Sequence, residues 1–271
     1  MKASKLAFTV LGLLAMVAAQ AVPIVSAAGG SNAAAVQSTV DAFRLSLGPL
    51  NPNVVGSFGS GRREINWDGV PDGFAAPNNL PANFFNSNSP RGAVFSTPGA
   101  GFQVSANAAA GAVEFGNINA SYSSLFGVFS AQRLFTALGS TVTDVSFFVP
   151  GSATSATVSG FGAVFTDVDV PAVSSLQFFD QNNALMGTFF APSVTGNETL
   201  SFIGVQFTTE RIGRVRITAG NQVLGGAETG DFVVLDDFIY AEPIAVVPEP
   251  VPLALWLAGL TTLGWAVRRR R

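Results

Sequence analysis

Leu176-Gln-Phe-Phe-Asp-Gln-Asn-Asn-Ala-Leu-Met-Gly-Thr-Phe-Phe190 is the stretch of this 271-residue chain that says most about its fold. Two apolar runs, rich in the aromatic residues that β-strands favour, flank a polar tetrapeptide at residues 180–183. Polar residues of this kind are typical of a tight turn, so the segment predicts an antiparallel β-hairpin.

Further segments of the same kind lie on both sides of the hairpin, at roughly the spacing of strands in a β-sandwich. The strongest are residues 143–149, 155–166, 174–180, 184–191, 200–208, 211–219 and 232–240, with shorter candidates at 94–95, 101–105, 112–115 and 125–129. The sequence therefore predicts a mainly β protein, with a jelly-roll-like antiparallel β-sandwich over residues 93–242.

One amphipathic helix is predicted before this domain, at residues 32–47. Asn32 can cap its first turn, and the apolar side chains of Val36, Val40, Phe43 and Leu47 share one face. The rest of residues 28–92 is rich in Pro, Asn and Gly, which predicts loops that pack on the β domain.

Composition excludes several classes of chemistry. The chain has no cysteine and no histidine, so it has no disulfide framework, no Cys/His zinc site and no Cys or His nucleophile–base pair. Sixteen acidic residues and only eight arginines lie between residues 28 and 247. This acidic middle argues against nucleic acid as a partner, because phosphate binding needs a basic face.

The N-terminus has the layout of a signal peptide. A basic start with Lys2 and Lys5 precedes an apolar run at residues 6–19, and Val25-Ser-Ala27 supplies small residues for cleavage. We therefore expect residues 1–27 to form the leader, with signal peptidase as a partner during export. Ala19-Gln-Ala21 also fits the small-x-small pattern, so cleavage after Ala21 stays open.

The C-terminus carries a second apolar segment of a different kind. After a Pro-rich linker at residues 243–250, residues 251–267 form a charge-free run that is just long enough for a transmembrane helix. The proline-flanked motif consists of Pro248, Glu249 and Pro250, and the chain ends with Arg268, Arg269, Arg270 and Arg271. The positive-inside rule predicts that the arginines stay in the cytoplasm and the body lies outside.

This order of motif, apolar helix and terminal arginine cluster resembles the PEP-CTERM sorting signal of Gram-negative bacteria. The resemblance covers residues 247–271. It implies recognition of Pro248, Glu249 and Pro250 by a membrane-embedded exosortase, which removes the tail and passes the protein to the cell surface or extracellular matrix. The protein would then be anchored in the inner membrane only in transit. An ordinary membrane-anchored ectodomain with a proline-rich spacer is the alternative.

The densest polar cluster of the middle region is Gly61-Arg-Arg-Glu-Ile-Asn-Trp-Asp-Gly69. It resembles a segment that recurs in exported bacterial proteins with this kind of tail. The side chains with ligand-binding chemistry are Arg62, Arg63, Glu64, Trp67 and Asp68. Trp67 could stack on a sugar while the charged groups bind hydroxyls, or it could plug the core while Arg–Glu pairs hold the loop. The second interpretation is favoured.

Four aspartates are candidates for a structural calcium ion, which prefers oxygen ligands. They are Asp167, Asp169, Asp236 and Asp237, near the ends of predicted strands. Residues 160–169 and 236–240 also resemble jelly-roll domains of the lectin kind, which often hold calcium at a strand end. Asp167 and Asp169 would share a strand face, whereas Asp236 and Asp237 would point to opposite faces. The same acids leave a glycosidase-type carboxylate pair open.

The function that these features favour is a non-enzymatic one, with no cofactor required. We expect an exported surface or matrix protein that is either structural or binds saccharide within an exopolysaccharide matrix. A surface glycan-processing hydrolase that uses paired carboxylates is the alternative from another class.

Overall fold

The computed structural model describes residues 22–209, 212–227 and 229–246. The strands, numbered in chain order, are β1 (Ile24–Gly30), β2 (Arg62–Ile65), β3 (Ala93–Ser96), β4 (Gly101–Val104), β5 (Phe135–Leu138), β6 (Val142–Phe147), β7 (Ala156–Thr157), β8 (Gly160–Thr166), β9 (Ser175–Asp180), β10 (Leu185–Phe190), β11 (Leu200–Gln206), β12 (Ile212–Thr218), β13 (Val234–Ala241) and β14 (Ile244–Ala245). The helices are α1 (Ala33–Leu47) and α2 (Phe84–Ser87), with short 3-10 turns at Asp72–Phe74 and Ala120–Ser124.

The protein is mainly β, and its strands form antiparallel sheets, as the sequence predicts. The larger sheet has the order β1-β11-β8-β13-β5-β4, with β2 paired to β13, and the second has the order β10-β9-β12-β6-β3. Aromatic rings of the two sheets pack against each other in the space between the sheets. The ring centroid of Phe147 on β6 lies 6.2 Å from that of Phe161 on β8 and 5.5 Å from that of Tyr240 on β13. This arrangement is consistent with a β-sandwich.

The hairpin and the helix are confirmed. β9 and β10 are joined through Asp180, whose Oδ1 accepts hydrogen bonds from the backbone N–H groups of Asn182 and Ala184, both at 2.8 Å. Asn32 caps α1 by accepting from the N–H of Ala35 at 3.2 Å. The four apolar residues predicted to share a face of α1 are all buried.

Glycines inside the strands have a packing reason. The ring of Phe43 on α1 lies against β8 and β11, where a Cβ atom at Gly162 or Gly204 would come within 2.9 and 2.8 Å of it. Glycine therefore lets the helix approach the sheet closely. The Gly160-Phe-Gly-Ala163 run serves this contact.

Some predicted strands are wrong, and some strands were not predicted. Residues 112–115 and 125–129 form turns and irregular chain, and Phe115 and Phe126 join a small core with Tyr122. β2 and β5 have only four residues each, too few for a readable period. β1 was missed because its apolar and small residues were assigned to the leader.

Both ends of the described chain emerge at one end of the sheets, which we call the terminal end. Ile24, at the start of β1, pairs with Gln206, and Gln206 pairs with Gly160 at the start of β8. The N–H of Val246 donates to the carbonyl of Ser155, just before β7. The opposite end of the sheets, which we call the far end, includes Thr166 and Phe190.

Several sequence predictions fall outside the described residues. They are the first 21 residues of the leader, the Pro248–Glu249–Pro250 motif, the apolar segment 251–267 and the arginines 268–271. Within residues 22–209, 212–227 and 229–246, no helix has the length and apolar character needed to cross a bilayer.

Candidate functional site

The Gly61–Gly69 motif forms β2 and the turn after it, and it lies against β13. Arg63 is fully buried and binds Glu242 through two bonds, from Nε to Oε2 at 2.6 Å and from Nη2 to Oε1 at 2.8 Å. Its guanidinium also donates to the carbonyls of Pro52, Pro90 and Gly56. A buried arginine with this many partners fixes the loop before β2 to the end of β13.

Trp67 is part of the core. Its side chain is 1% exposed, its ring stacks on Phe135 with centroids 4.2 Å apart, and its Nε1–H donates to the carbonyl of Asp236 at 2.8 Å. Phe85, Phe95 and Phe238 surround the same ring. The indole therefore has no face free to stack on a sugar.

Asp68 is turned toward the chain before β5. Its Oδ1 accepts a hydrogen bond from the N–H of Arg133 at 3.1 Å, and partial burial raises the pKa of its carboxyl group. The Arg133 guanidinium pairs with Asp72. Asp68 thus orients the chain entering β5 and takes no part in the cavity described next.

A polar cavity of about 410 Å³ opens beside α1, between the motif and the middle of β13. It is lined by Gln37, Arg44, Leu50, Asn53, Glu64, Asn66, Arg91, Phe129, Ser130 and Asp237. Its volume falls in the range of small-ligand sites. Of the motif residues proposed for ligand binding, Glu64 lines this cavity, and Arg62 supports it through a 2.6 Å bond from Nε to Glu64 Oε1.

Arg44 organises the charges of this cavity. Its Nη2 lies 3.1 Å from Glu64 Oε2 and 3.0 Å from Asp237 Oδ2, and its Nε donates to Glu64 Oε1 at 3.2 Å. The guanidinium also lies over the ring of Phe129, 5.8 Å from its centroid. Two carboxylates are therefore held at fixed positions on one cation, next to an aromatic ring.

Asp236 and Asp237 do not point to opposite faces, contrary to the alternation expected for a regular strand. The pairing of β13 with β8 shifts register between Leu235 and Phe238, so both aspartates lie in a bulge. The Ser130 hydroxyl oxygen is 3.1 Å from Asp236 Oδ1 and 2.7 Å from Asp237 Oδ1. The N–H groups of Phe129 and Ser130 donate to Asp236 Oδ2.

The carboxyl groups of Asp236 and Asp237 are both buried, and this burial raises the pKa of each. Burial, and then the charge of Asp237, raise the pKa of Asp236 well above its usual value. Burial also raises the pKa of Asp237, while Ser130 and Arg44 oppose the rise. Asp236 therefore faces its neighbour from inside the protein, and Asp237 is the member that reaches the cavity.

The four aspartates proposed for calcium separate into two sets. Asp167 and Asp169 lie at the far end, where the third acid is Asp231, which the sequence analysis did not single out. Asp236 and Asp237 belong to the cavity beside α1. Among the described residues, no three acidic side chains converge closely enough to hold a metal ion. Calcium binding by these four residues as one site is therefore not supported.

Asp167 occupies an unusual position at the far end. Its backbone has φ +67, its side chain is 2% exposed, and no described residue bonds to its Oδ1. Burial, and then the charges of Asp169 and Asp231, raise its pKa to about 7. Asp231 in turn accepts hydrogen bonds from the N–H groups of Asp169 and Val170, both at 3.2 Å.

A second, larger cavity of about 700 Å³ lies at the terminal end. Its walls include Phe148, Asn182, Asn183, Arg214 and Val246. None of the residues that the sequence analysis proposes for ligand or calcium binding lines this cavity. The cavity beside α1 is the better-defined candidate site.

Sequence reasoning reached Glu64 and Asp237 but not the residues that join them. Arg44 lies on α1 and Ser130 in the loop before β5, so neither is near a recognisable motif. Asn53 and Asn66 carry no local signal beyond their polarity. No protein-family model, no curated protein and no solved structure was found to match the chain.

Proposed function

We propose that this chain is an exported, non-enzymatic protein of the cell surface or extracellular matrix that binds saccharide at the cavity beside α1. The observation that carries the binding proposal is the arrangement of Glu64 and Asp237 on Arg44, next to the ring of Phe129. Fixed carboxylates and amides suit the hydroxyl groups of a sugar, and an aromatic ring suits its apolar face.

The amide side chains of the cavity add hydrogen-bonding capacity that the protein itself does not use. Asn53 and Asn66 are exposed and line the cavity, and within the described residues their side chains make no hydrogen bond. The two antiparallel sheets are compatible with a jelly-roll domain of the lectin kind, the finer fold that we propose. Fold alone does not imply ligand binding, so the proposal depends on the cavity.

We favour binding over glycan hydrolysis because of Arg44. A glycosidase needs the scissile bond between its two carboxyl groups. Here one guanidinium nitrogen bonds to both Glu64 and Asp237 and occupies the space between them. The raised pKa of Asp237 is what a general acid needs, and it keeps the hydrolase as the second candidate.

Export and sorting are proposed from the two ends of the sequence. We infer that a signal peptide directs the chain across the inner membrane, that residues 251–267 hold it there with Arg268–Arg271 inside, and that an exosortase acts at Pro248–Glu249–Pro250. The mature protein then reaches the surface or matrix. We propose no required cofactor. The binding test compares samples with and without calcium, because a structural calcium ion remains untested.

The binding test is a glycan array that includes exopolysaccharide fragments, probed with the detergent-solubilised full chain, with calcium and with chelator. We expect binding, and we expect the double variant Asn53→Ala/Asn66→Ala to lose about thirtyfold in affinity, since two neutral hydrogen bonds contribute about 1 kcal/mol each. Asn83→Ala is the matched control, because Asn83 is an exposed asparagine away from the cavity.

Each outcome has a defined meaning. Equal affinity of the double variant and the control would exclude the cavity as the binding site. An array without any bound glycan, under both calcium conditions, would contradict saccharide binding and leave a structural matrix role. Release of reducing ends from a bound glycan would favour the hydrolase instead.

A further inference from the structure

We propose that the terminal end of the sheets is a face that docks on the interface of a lipid bilayer while the chain is still held by its tail. The inference rests on the tail anchoring proposed above and adds a second contact with the membrane.

Exposed large apolar side chains are concentrated at the terminal end. In the described residues they are Val22, Ile24, Val25, Leu45, Leu50, Val54, Val55, Phe58 and Leu185 near this end, and Val170 and Phe190 at the far end. The strand register places two of these residues at the terminal end. Ile24, at the start of β1, pairs with Gln206, and Leu185, at the start of β10, pairs with Phe179. An apolar patch of this kind on one end of a domain marks an interaction surface.

The loop at residues 50–60 contributes the most exposed apolar side chains to this surface, and hydrogen bonds to Glu242 and Pro150 hold it in place. Glu242 accepts hydrogen bonds from Asn51 Nδ2 at 2.8 Å and from the N–H of Phe58 at 3.2 Å. The N–H of Gly56 donates to the carbonyl of Pro150 at 2.8 Å. The loop thus turns polar groups inward, while Val55 and Phe58 remain 71% and 49% exposed.

The linker keeps this surface close to the membrane. Only residues 247–250 separate Val246 from the apolar segment that begins at Val251. An extended chain covers at most about 3.5 Å per residue, so Val246 stays within roughly 18 Å of the start of the membrane-spanning segment. The headgroup layer is itself several ångströms thick, so the linker keeps the terminal end within reach of the interface.

Charge favours the same orientation. At the terminal end the charges are paired: Arg63 with Glu242, Arg62 with Glu64 and Arg214 with Asp144. At the far end, the charges of Asp169 and Asp231 help to raise the pKa of Asp167, and no basic residue contributes to the pKa shifts of Asp167 and Asp231. An anionic leaflet would therefore repel the far end and leave the apolar end facing the lipid.

The bilayer is the occupant that these observations favour over a second copy or a partner protein. The C-terminal apolar segment follows the body at this end, where the N–H of Val246 bonds to the carbonyl of Ser155. Valine, leucine and phenylalanine side chains of a loop can insert at the boundary between headgroups and acyl chains. Docking here would also hold the Pro248–Glu249–Pro250 segment at the membrane surface.

The test uses a single label, because the chain has no cysteine. Val55→Cys, carrying a polarity-sensitive fluorophore, is reconstituted as the full chain into vesicles of phosphatidylethanolamine and phosphatidylglycerol that contain a lipid-attached quencher. We expect a blue-shifted emission and quenching several-fold stronger than for the same label on Phe190→Cys. Phe190 is the matched control because it is similarly exposed but lies at the far end. Phe58→Cys should behave like Val55→Cys.

Flotation of the vesicles separates failure of the anchor from failure of docking. A chain that does not float with the vesicles overturns both proposals. A chain that floats with Val55 unquenched overturns docking alone. A blue shift without lipid quenching would show that protein, and not lipid, covers this face. The covering segment would be a second copy if the shift grows with protein density, and the chain's own tail if it does not. Either result overturns membrane docking.

Discussion

At the scale of single residues, the Gly61–Gly69 motif shows why residue type does not determine role. Arg63 and Trp67 have the chemistry of a saccharide site, yet Arg63 is sealed against Glu242 and Trp67 against Phe135. Both roles need the same side chains, and the partner that decides the role of Arg63, Glu242, is 179 residues away from it in the chain. Local sequence could name the residues but not their surroundings.

Asp167 leads to a prediction about stability and pH. Its pKa is about 7 in the folded protein and about 4 in an unfolded chain, so the folded protein binds an extra proton between these values. The stabilisation is complete below pH 4 and is lost as the pH rises through 7. An asparagine at this position would mimic the neutral acid and tolerate φ +67. Asp167→Asn should therefore increase the free energy of unfolding at pH 8 by up to about 4 kcal/mol and change it little at pH 4.

Urea unfolding from pH 4 to pH 8, with chelator present, measures this difference. Asp41→Asn is the control, since it removes one negative charge from the exposed surface of α1. Equal effects of the two substitutions at every pH would contradict the prediction. Destabilisation of Asp167→Asn at pH 8 would show that the charged form has a partner that stabilises it.

At the scale of elements, local signals predicted α1 and the β9–β10 hairpin because each carries its own cap or turn. β2 and β5 depend on pairing with β13, a long-range contact that leaves no local pattern. The bulge at Asp236 and Asp237 was hidden for the same reason, because only the register against β8 reveals it. Of these, β2 supplies Glu64 and the bulge supplies Asp237 to the cavity, and the predicted helix α1 supplies Arg44.

β1 leads to a prediction about export. Cleavage before Ala28 would remove Ile24 to Ala27, four residues that pair in register with β11, and would leave residues 203–206 of β11 without their β1 partners. Cleavage after Ala21 keeps the whole strand. We therefore expect the exported protein to begin at Val22, as read by N-terminal sequencing and intact mass. An N-terminus at Ala28 would contradict this.

A pair of variants tests the same point. A large residue at the position before the cut blocks signal peptidase, which needs a small one there. Ala21→Phe should therefore accumulate unprocessed chain. Ala27→Phe should be processed normally, since Ala27 lies on the edge strand, which tolerates an aromatic side chain. Normal processing of Ala21→Phe together with blocked Ala27→Phe would reverse the assignment.

At the scale of the whole molecule, strand content was predictable and sheet order was not. The alternating and apolar runs indicate which segments become strands. Nothing local indicates that β13 lies between β8 and β5, or that the loop at residues 50–60 folds over Glu242. The gathering of exposed apolar residues at one end depends on that order, so it appears only in three dimensions.

The orientation of the whole molecule leads to the last prediction. If the body lies outside, the apolar segment spans the membrane and an exosortase reads the motif, then Glu249→Ala should remove recognition without changing insertion. We expect full-length chain that stays in the membrane fraction, with its body digested by protease added to the outer face of spheroplasts. Val247→Ala is the matched control and should be trimmed normally. Trimming of Glu249→Ala at the control's rate would contradict recognition of the motif by an exosortase. The tail would then be an ordinary membrane anchor, because the arginines and the apolar segment alone would account for the topology.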